Sequence, residues 1–119
     1  MAVAGISDSV TAALHLAING LDTRQRTITS NIANVETPNY LAKEVKFEDS
    51  LKAALSGGGD PMSASISVSD STAPLLENGN NVSIDSELMA SSENLLRQKL
   101  VVQALNSKYA LLRTAMAGN

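Results

Sequence analysis

The sequence predicts a mainly α-helical fold: two long helices, one N-terminal and one C-terminal, pair as an antiparallel hairpin or coiled coil and flank a flexible middle segment. Three observations carry this. Apolar residues recur at helical spacing from about Ile6 to Val35, and an unbroken seven-residue ladder runs from Leu88 to Met116. Between them lie about fifty residues with no comparable period, rich in Ser and Gly.

In the first zone Leu14, Ile18, Leu21, Ile28, Ile32 and Val35 follow steps of three, four and seven, with Gln25 the polar interruption. His15, Asn19, Asp22 and Arg26 form the opposite, polar face, and His15 is expected in solvent. Ser7 or Asp8 suits the cap, and Pro38 drives Thr37 out of the α region, so this helix is expected to stop near Val35. Gly20 in its middle costs about 1 kcal/mol relative to Ala, which marks close packing or a tolerated weakness.

In the last zone, from Asp85, the ladder is Leu88, Leu95, Val102, Tyr109 and Met116, with Ser91, Gln98, Leu105 and Leu112 interleaved. Leu96, Leu100, Val101 and Leu111 widen the apolar belt beyond one seam. Ser83 or Asp85 is placed to cap this helix, and Gly118 stands where a helix commonly stops. The pattern divides the chain into residues 1–40, 41–84 and 85–119, the outer two forming one helical domain. In the middle, Phe47, Leu51, Ala54 and Leu55 suggest a short helix, and Ile66 and Val68 a weak strand or hairpin.

Composition argues against chemistry. The 119 residues include no Cys and one His, and carry a net charge of −3. Thiolate catalysis, disulfides and most zinc sites are thereby removed, and no electrostatic case exists for nucleic acid. The charged cluster Lys43, Glu44, Lys46, Glu48 and Asp49 reads as a solvated face. Gly57 to Gly59 lacks the Lys-Ser/Thr that a phosphate loop requires. No catalytic residue, cofactor, metal or small-molecule substrate is expected. MAVAGISDSV has neither a basic nor a long apolar stretch, so no cleaved secretory signal is expected, and no apolar run is long enough to span a bilayer.

One polar pattern stands out. Asn31 and Asn34 fall in the last turn of the first helix, and Pro38-Asn39 fits a type II turn that lets Tyr40 fold back on the helix end. Asn78-Gly79-Asn80-Asn81 makes a second turn before the last helix. Taken alone, both read as a well-made helix stop and start.

The stretch TSNIANVETPNY resembles the N-terminal signature of the bacterial flagellar rod, hook and hook-associated protein family. The matching positions are Asn31, Ile32, Ala33, Asn34, Thr37, Pro38 and Tyr40, with Asn39 in place of the usual Gly. Asn80, Asn81 and the last helix resemble a short basal-body rod protein of the proximal rod, since the chain lacks the large inserted domains of distal rod and hook proteins. A sister proximal-rod protein is the near alternative. It carries extra residues between the Asn-rich helix end and its Tyr, and this chain has none.

The resemblance implies a structural, non-enzymatic subunit of the extracytoplasmic rod that transmits torque. Its implied partners are other rod subunits, basal-body ring and adaptor proteins, copies of itself, and the flagellar type III export apparatus. Leu14, Leu21, Ile28, Leu88, Leu95, Val102, Leu105, Tyr109, Leu112 and Met116 are expected in the intramolecular seam. Leu16, Leu96, Leu100 and Val101 are then left for neighbouring subunits. The rival from another class is a small secreted helical-hairpin adaptor or export chaperone.

Overall fold

The computed structural model describes residues 2–117, with side chains from residue 9 onward. Helix α1 spans Ala2–Ala33 and helix α3 spans Ile84–Ala117. Strand β1 (Lys43–Lys46), helix α2 (Glu48–Ser56), a 3-10 turn (Pro61–Ser63) and strand β2 (Ser67–Asp70) lie between them in the chain. The molecule is a rod, 66 × 26 × 14 Å.

The long helices run antiparallel. His15 meets Tyr109, Gln25 meets Ser91 and Asn31 meets Glu87, so partners on α3 step backward as α1 advances. Helix α1 begins ahead of Ser7 and Asp8, the expected cap positions. At α3 the Ser83 hydroxyl accepts from the Ser86 amide (3.3 Å), as an N-cap does. Gly118, expected at the helix stop, lies outside the described residues.

The Ser/Gly-rich middle is built onto α1 rather than left as a loop. β1 and β2 pair antiparallel, with Val45 opposite Val68. Their connection is α2 and the 3-10 turn, so the pairing is no tight hairpin. Phe47, directly after β1, joins Leu21 and Val45 in the core, with Ala17, Ile66 and Val101 packed around it. Gly20 explains how the ring gets so close: a Cβ there would overlap Phe47. Arg24 fastens the same joint. Its guanidinium donates to both Glu48 carboxylate oxygens (2.6 and 2.7 Å) and to the Val45 carbonyl (2.7 Å), and lies 5.0 Å from the Phe47 ring centre.

The face that α3 turns to α1 differs from the expected one. Glu87, Ser91, Asn94, Gln98, Val101, Leu105, Lys108 and Leu112 are buried or half-buried, a 4-3 ladder. Ser91, Gln98, Leu105 and Leu112 belong to the expected heptad. The other half of it does not: Leu88, Leu95, Val102 and Met116 are 44–81% exposed, and Tyr109, 37% exposed, stands at the edge of the seam with its hydroxyl on His15. Spacing fixes the period of a helix face, but α3 is apolar on more than one side, so spacing left its phase open. Hydrogen bonds decide the phase, since Asn94 donates to the Leu21 carbonyl and Gln25, and Gln25 donates to Ser91.

Two residues expected at subunit contacts make contacts within the subunit. Val101 packs on the Leu21–Val45–Phe47 core. Leu16 is buried, and its i, i+4 spacing from Gly20 puts it on the face of α1 that the middle segment covers. Leu21 and Ile28 are buried and Leu14 is half-buried, while Leu96 and Leu100 are exposed.

Two substitutions separate these faces. Leu105→Ala should cost about 2–4 kcal/mol and Leu88→Ala well under about 1 kcal/mol, measured by urea unfolding. Equal costs would place the seam wrongly. Gly20→Ala should destabilise by about 1–3 kcal/mol despite the better helix propensity of Ala, because the added methyl must displace Phe47.

Candidate assembly interface

Four asparagines build the junction where the chain leaves α1 and enters α3. Asn31 is at its centre and almost wholly buried. Its Oδ1 accepts from the Lys43 amide (2.9 Å) and the Tyr40 hydroxyl (3.1 Å). Its Nδ2 donates to the Lys43 carbonyl (3.0 Å) and to Glu87 (3.1 Å). The side-chain amide thus pairs with one β1 residue as a neighbouring strand would, on the edge that β2 leaves free, and reaches α3 as well.

Asn80, fully buried, does the corresponding work for the end of α1. Its Nδ2 donates to the carbonyls of Asn34 (2.9 Å) and Thr37 (2.8 Å), and its Oδ1 accepts from the Val82 amide (2.7 Å). Carbonyls left over past a helix end need donors, and no basic residue in the last turn of α1 supplies them. Asn81 accepts from the Ala42 amide (2.7 Å) and donates to the carbonyls of Ser71 and Ala73. Asn34 donates to the Ser30 carbonyl, which prolongs the helix ladder by one side chain, and accepts from Thr37. Ile32 is half-buried, and Ala33, Thr37 and Pro38 are exposed around this knot.

The Pro38-Asn39 turn closes with the Tyr40 amide on the Thr37 carbonyl (3.3 Å), and Asn39 adopts a φ of 61°. That left-handed position is where Gly is otherwise favoured. Across the joint Gly79, at φ 78°, packs on the Asn39 side chain with no room for a Cβ. The two Asn-rich turns are therefore parts of one structure, formed by residues forty positions apart.

Sequence reasoning missed three contributors. Lys43 acts through its backbone, Glu87 through a half-buried carboxylate, and Asn94 as a buried polar residue in the seam. Burial holds the Glu87 carboxyl above its ordinary value, partly offset by the Asn31 donor. The hydrogen bonds from Arg24 lower Glu48 to about 2. Asn94 Oδ1 has no partner although the residue is buried. The regular 3-4 spacing hid Asn94, because it falls between ladder positions.

The surface has one dominant feature. Along α3, Leu88, Leu95, Val102 and Met116 are exposed on one flank of the seam, and Met89, Leu96, Leu100 and Leu111 are exposed on another. No described helix is long and apolar enough to cross a membrane, and the described residues hold no acidic or His cluster that could bind a metal. Exposed apolar side chains in this number along one helix are characteristic of interaction surfaces.

Comparison with known proteins gives this surface its context. The family model described as flagella basal body rod protein matches residues 17–40, the end of α1 through the Tyr40 turn. The flagellar basal body rod protein FlgB of Bacillus subtilis is 32% identical, over 88% of this chain and 91% of its own. The chain belongs to the FlgB family of flagellar basal body rod proteins. The FlgB of Cereibacter sphaeroides is also 32% identical, over 82% of this chain and 85% of its own. That of Escherichia coli K12 is 27% identical, over 94% and 99%. The likeness to FlgB proteins thus covers most of the chain, well beyond the matched signature. The FlgB family is a structural one, not a family of enzymes.

Two tests probe the junction. Asn31→Ala strands the Lys43 amide and carbonyl and the Tyr40 hydroxyl, and should cost about 2–4 kcal/mol in chemical denaturation. Glu48 and Glu87 should respond to acid with opposite sign. The Glu48 contribution is complete above about 4.5 and fades as pH falls toward 2. The destabilisation of Glu48→Gln should therefore shrink over that range. Glu87 titrates above its ordinary value, so its ionised form costs stability at neutral pH, a cost that acid relieves. Glu87→Gln should be neutral or stabilising at pH 7, with the gap closing toward pH 4.5; a loss of stability at pH 7 would contradict this.

Proposed function

We propose that the chain is a structural subunit of the bacterial flagellar basal-body rod, held in the rod by neighbours that cover the outward stripe of α3. Membership of the FlgB family supports the rod, and the proximal rod within it. The observation that carries the mode of assembly is the phase of α3: Glu87, Ser91, Asn94 and Gln98 turn toward α1 along with Val101, Leu105 and Leu112, while Leu88, Leu95 and Val102 stay exposed. A helix that buried only for its own subunit would turn those three inward. Covering a half-exposed leucine stabilises a contact by on the order of 1 kcal/mol, so Leu88, Leu95 and Val102 together add on the order of 3 kcal/mol.

A rigid rod transmits torque only if its subunits do not slide. The stripe supplies cohesion without direction, while the asparagine junction fixes how the two helices of each subunit are set. Partners on the stripe are other rod subunits and, at the base of the rod, ring and adaptor proteins of the basal body. Export through the flagellar type III apparatus fits a Cys-free chain, since no disulfide opposes unfolding.

Leu95→Asp and Val102→Asp test the stripe. Each should leave circular dichroism and the melting temperature of the purified protein within error of the parent, because both positions are exposed. Each should abolish rod assembly and swimming. Normal motility in either variant would remove the stripe from the interface, and flagella in a strain deleted for the gene would remove the rod itself.

A further inference from the structure

A second apolar feature lies at the junction end. Leu75 and Leu76 are largely exposed, and they stand beside Glu77 at the tip of the turn that leads to Asn80. This tip is held firmly. The Leu76 amide donates to the Asn80 carbonyl (2.7 Å), the Gly79 amide donates to the Leu76 carbonyl (2.9 Å), and the Asn39 amide donates to the Asn78 carbonyl (2.9 Å). Asn78 Oδ1 also accepts from the Asn80 amide (3.1 Å). Two leucines on so well anchored a turn are presented at little entropic cost.

A matching receptor lies near the middle of the rod. An open groove of about 390 Å³ runs between α1, Phe47 and α3, walled by Ala17, Leu21, Phe47, Leu100 and Val101 and edged by Glu48 and Arg97. A cavity vacated by one leucine is about 150 Å³, so the groove has room for two such side chains. Arg97 is more than half exposed and only 3.7 Å from Glu48, a carboxylate already engaged by Arg24. Glu77 has no ion-pair partner among the described residues.

We propose that the Leu75-Leu76 tip of one copy seats in the Ala17–Phe47–Leu100 groove of the next, with Glu77 paired to Arg97. This rests on the rod reading for its setting and names the contact between copies. Tip and groove cannot meet within one chain. Arg97 is thirteen residues along α3 from Ile84, roughly 20 Å away from the end where the tip is pinned. Tip and groove are different surfaces, so the contact is head-to-tail and repeats from copy to copy.

The chain has no cysteine, which makes disulfide trapping clean. Hook–basal bodies should be prepared under oxidation from cells carrying Glu77→Cys, Arg97→Cys, or both. The double variant should yield a ladder extending beyond dimers, whereas either single variant can give dimers at most. In parallel, Glu77→Arg and Arg97→Glu should each reduce swimming several-fold, and the two together should restore it. A double-cysteine variant with no species beyond those of the singles, or charge reversals without mutual rescue, would overturn the contact. That includes the outcome in which the Glu77→Cys variant crosslinks only to a different rod protein. The rod reading would then still stand on the deletion strain, which tests it separately.

Discussion

The amide of Asn31 is the interaction on which the rest of the structure depends. Four hydrogen bonds leave one buried side chain, and they reach the backbone of β1, the hydroxyl of Tyr40 and the carboxylate of Glu87 on α3. Satisfying both faces of a buried amide requires all of these groups in place at once, so the end of α1 sets where β1 starts and which side of α3 turns inward. Asn80 and Asn81 complete the constraint from the other strand of the junction, tying the entry to α3 back to the exit from α1. A loop of more than forty residues is thereby closed by side-chain amides rather than by a large hydrophobic core.

That choice has a consequence for burial. Once Glu87, Ser91 and Asn94 face α1, the leucines at Leu88 and Leu95 must face solvent. Hydrogen bonds are directional and dispersion is not, so the polar groups fix the phase that Leu105 and Val101 then pack into. The intramolecular core is small, centred on Leu21, Val45 and Phe47, and much of the aliphatic content of the chain lies outside it. The unpartnered Oδ1 of Asn94 fits the same picture: the seam is specified by polar contacts at some cost in stability.

The architecture was legible in the sequence because long helices declare themselves by periodicity. The Asn-Pro turns were legible as turns, while Gly20 left close packing and a tolerated weakness equally open, and Phe47 decides for the first. Three things were not legible. The phase of α3 was hidden because Leu88, Leu95 and Val102 obey the spacing of a seam as well as the seam itself does. The unity of the two Asn clusters was hidden because it depends on contacts between Asn39 and Gly79 and between Asn80 and Asn34, forty or more residues apart. The order of the middle segment was hidden because Phe47 and Arg24 anchor it to α1, and a Ser/Gly-rich composition carries no trace of a distant anchor.

Helix α3 turns Asn94 and its polar neighbours, with Leu105, to its own subunit and leaves Leu88 and Leu95 for its neighbours. Maleimide labelling of single cysteines at positions 88, 95 and 94 reads it most directly, first in the purified protein and then in isolated basal bodies. Leu88→Cys and Leu95→Cys should react quickly in the free subunit and become protected in the assembled rod, while Asn94→Cys should stay inert in both. Equal reactivity of positions 88 and 95 before and after assembly would contradict the account.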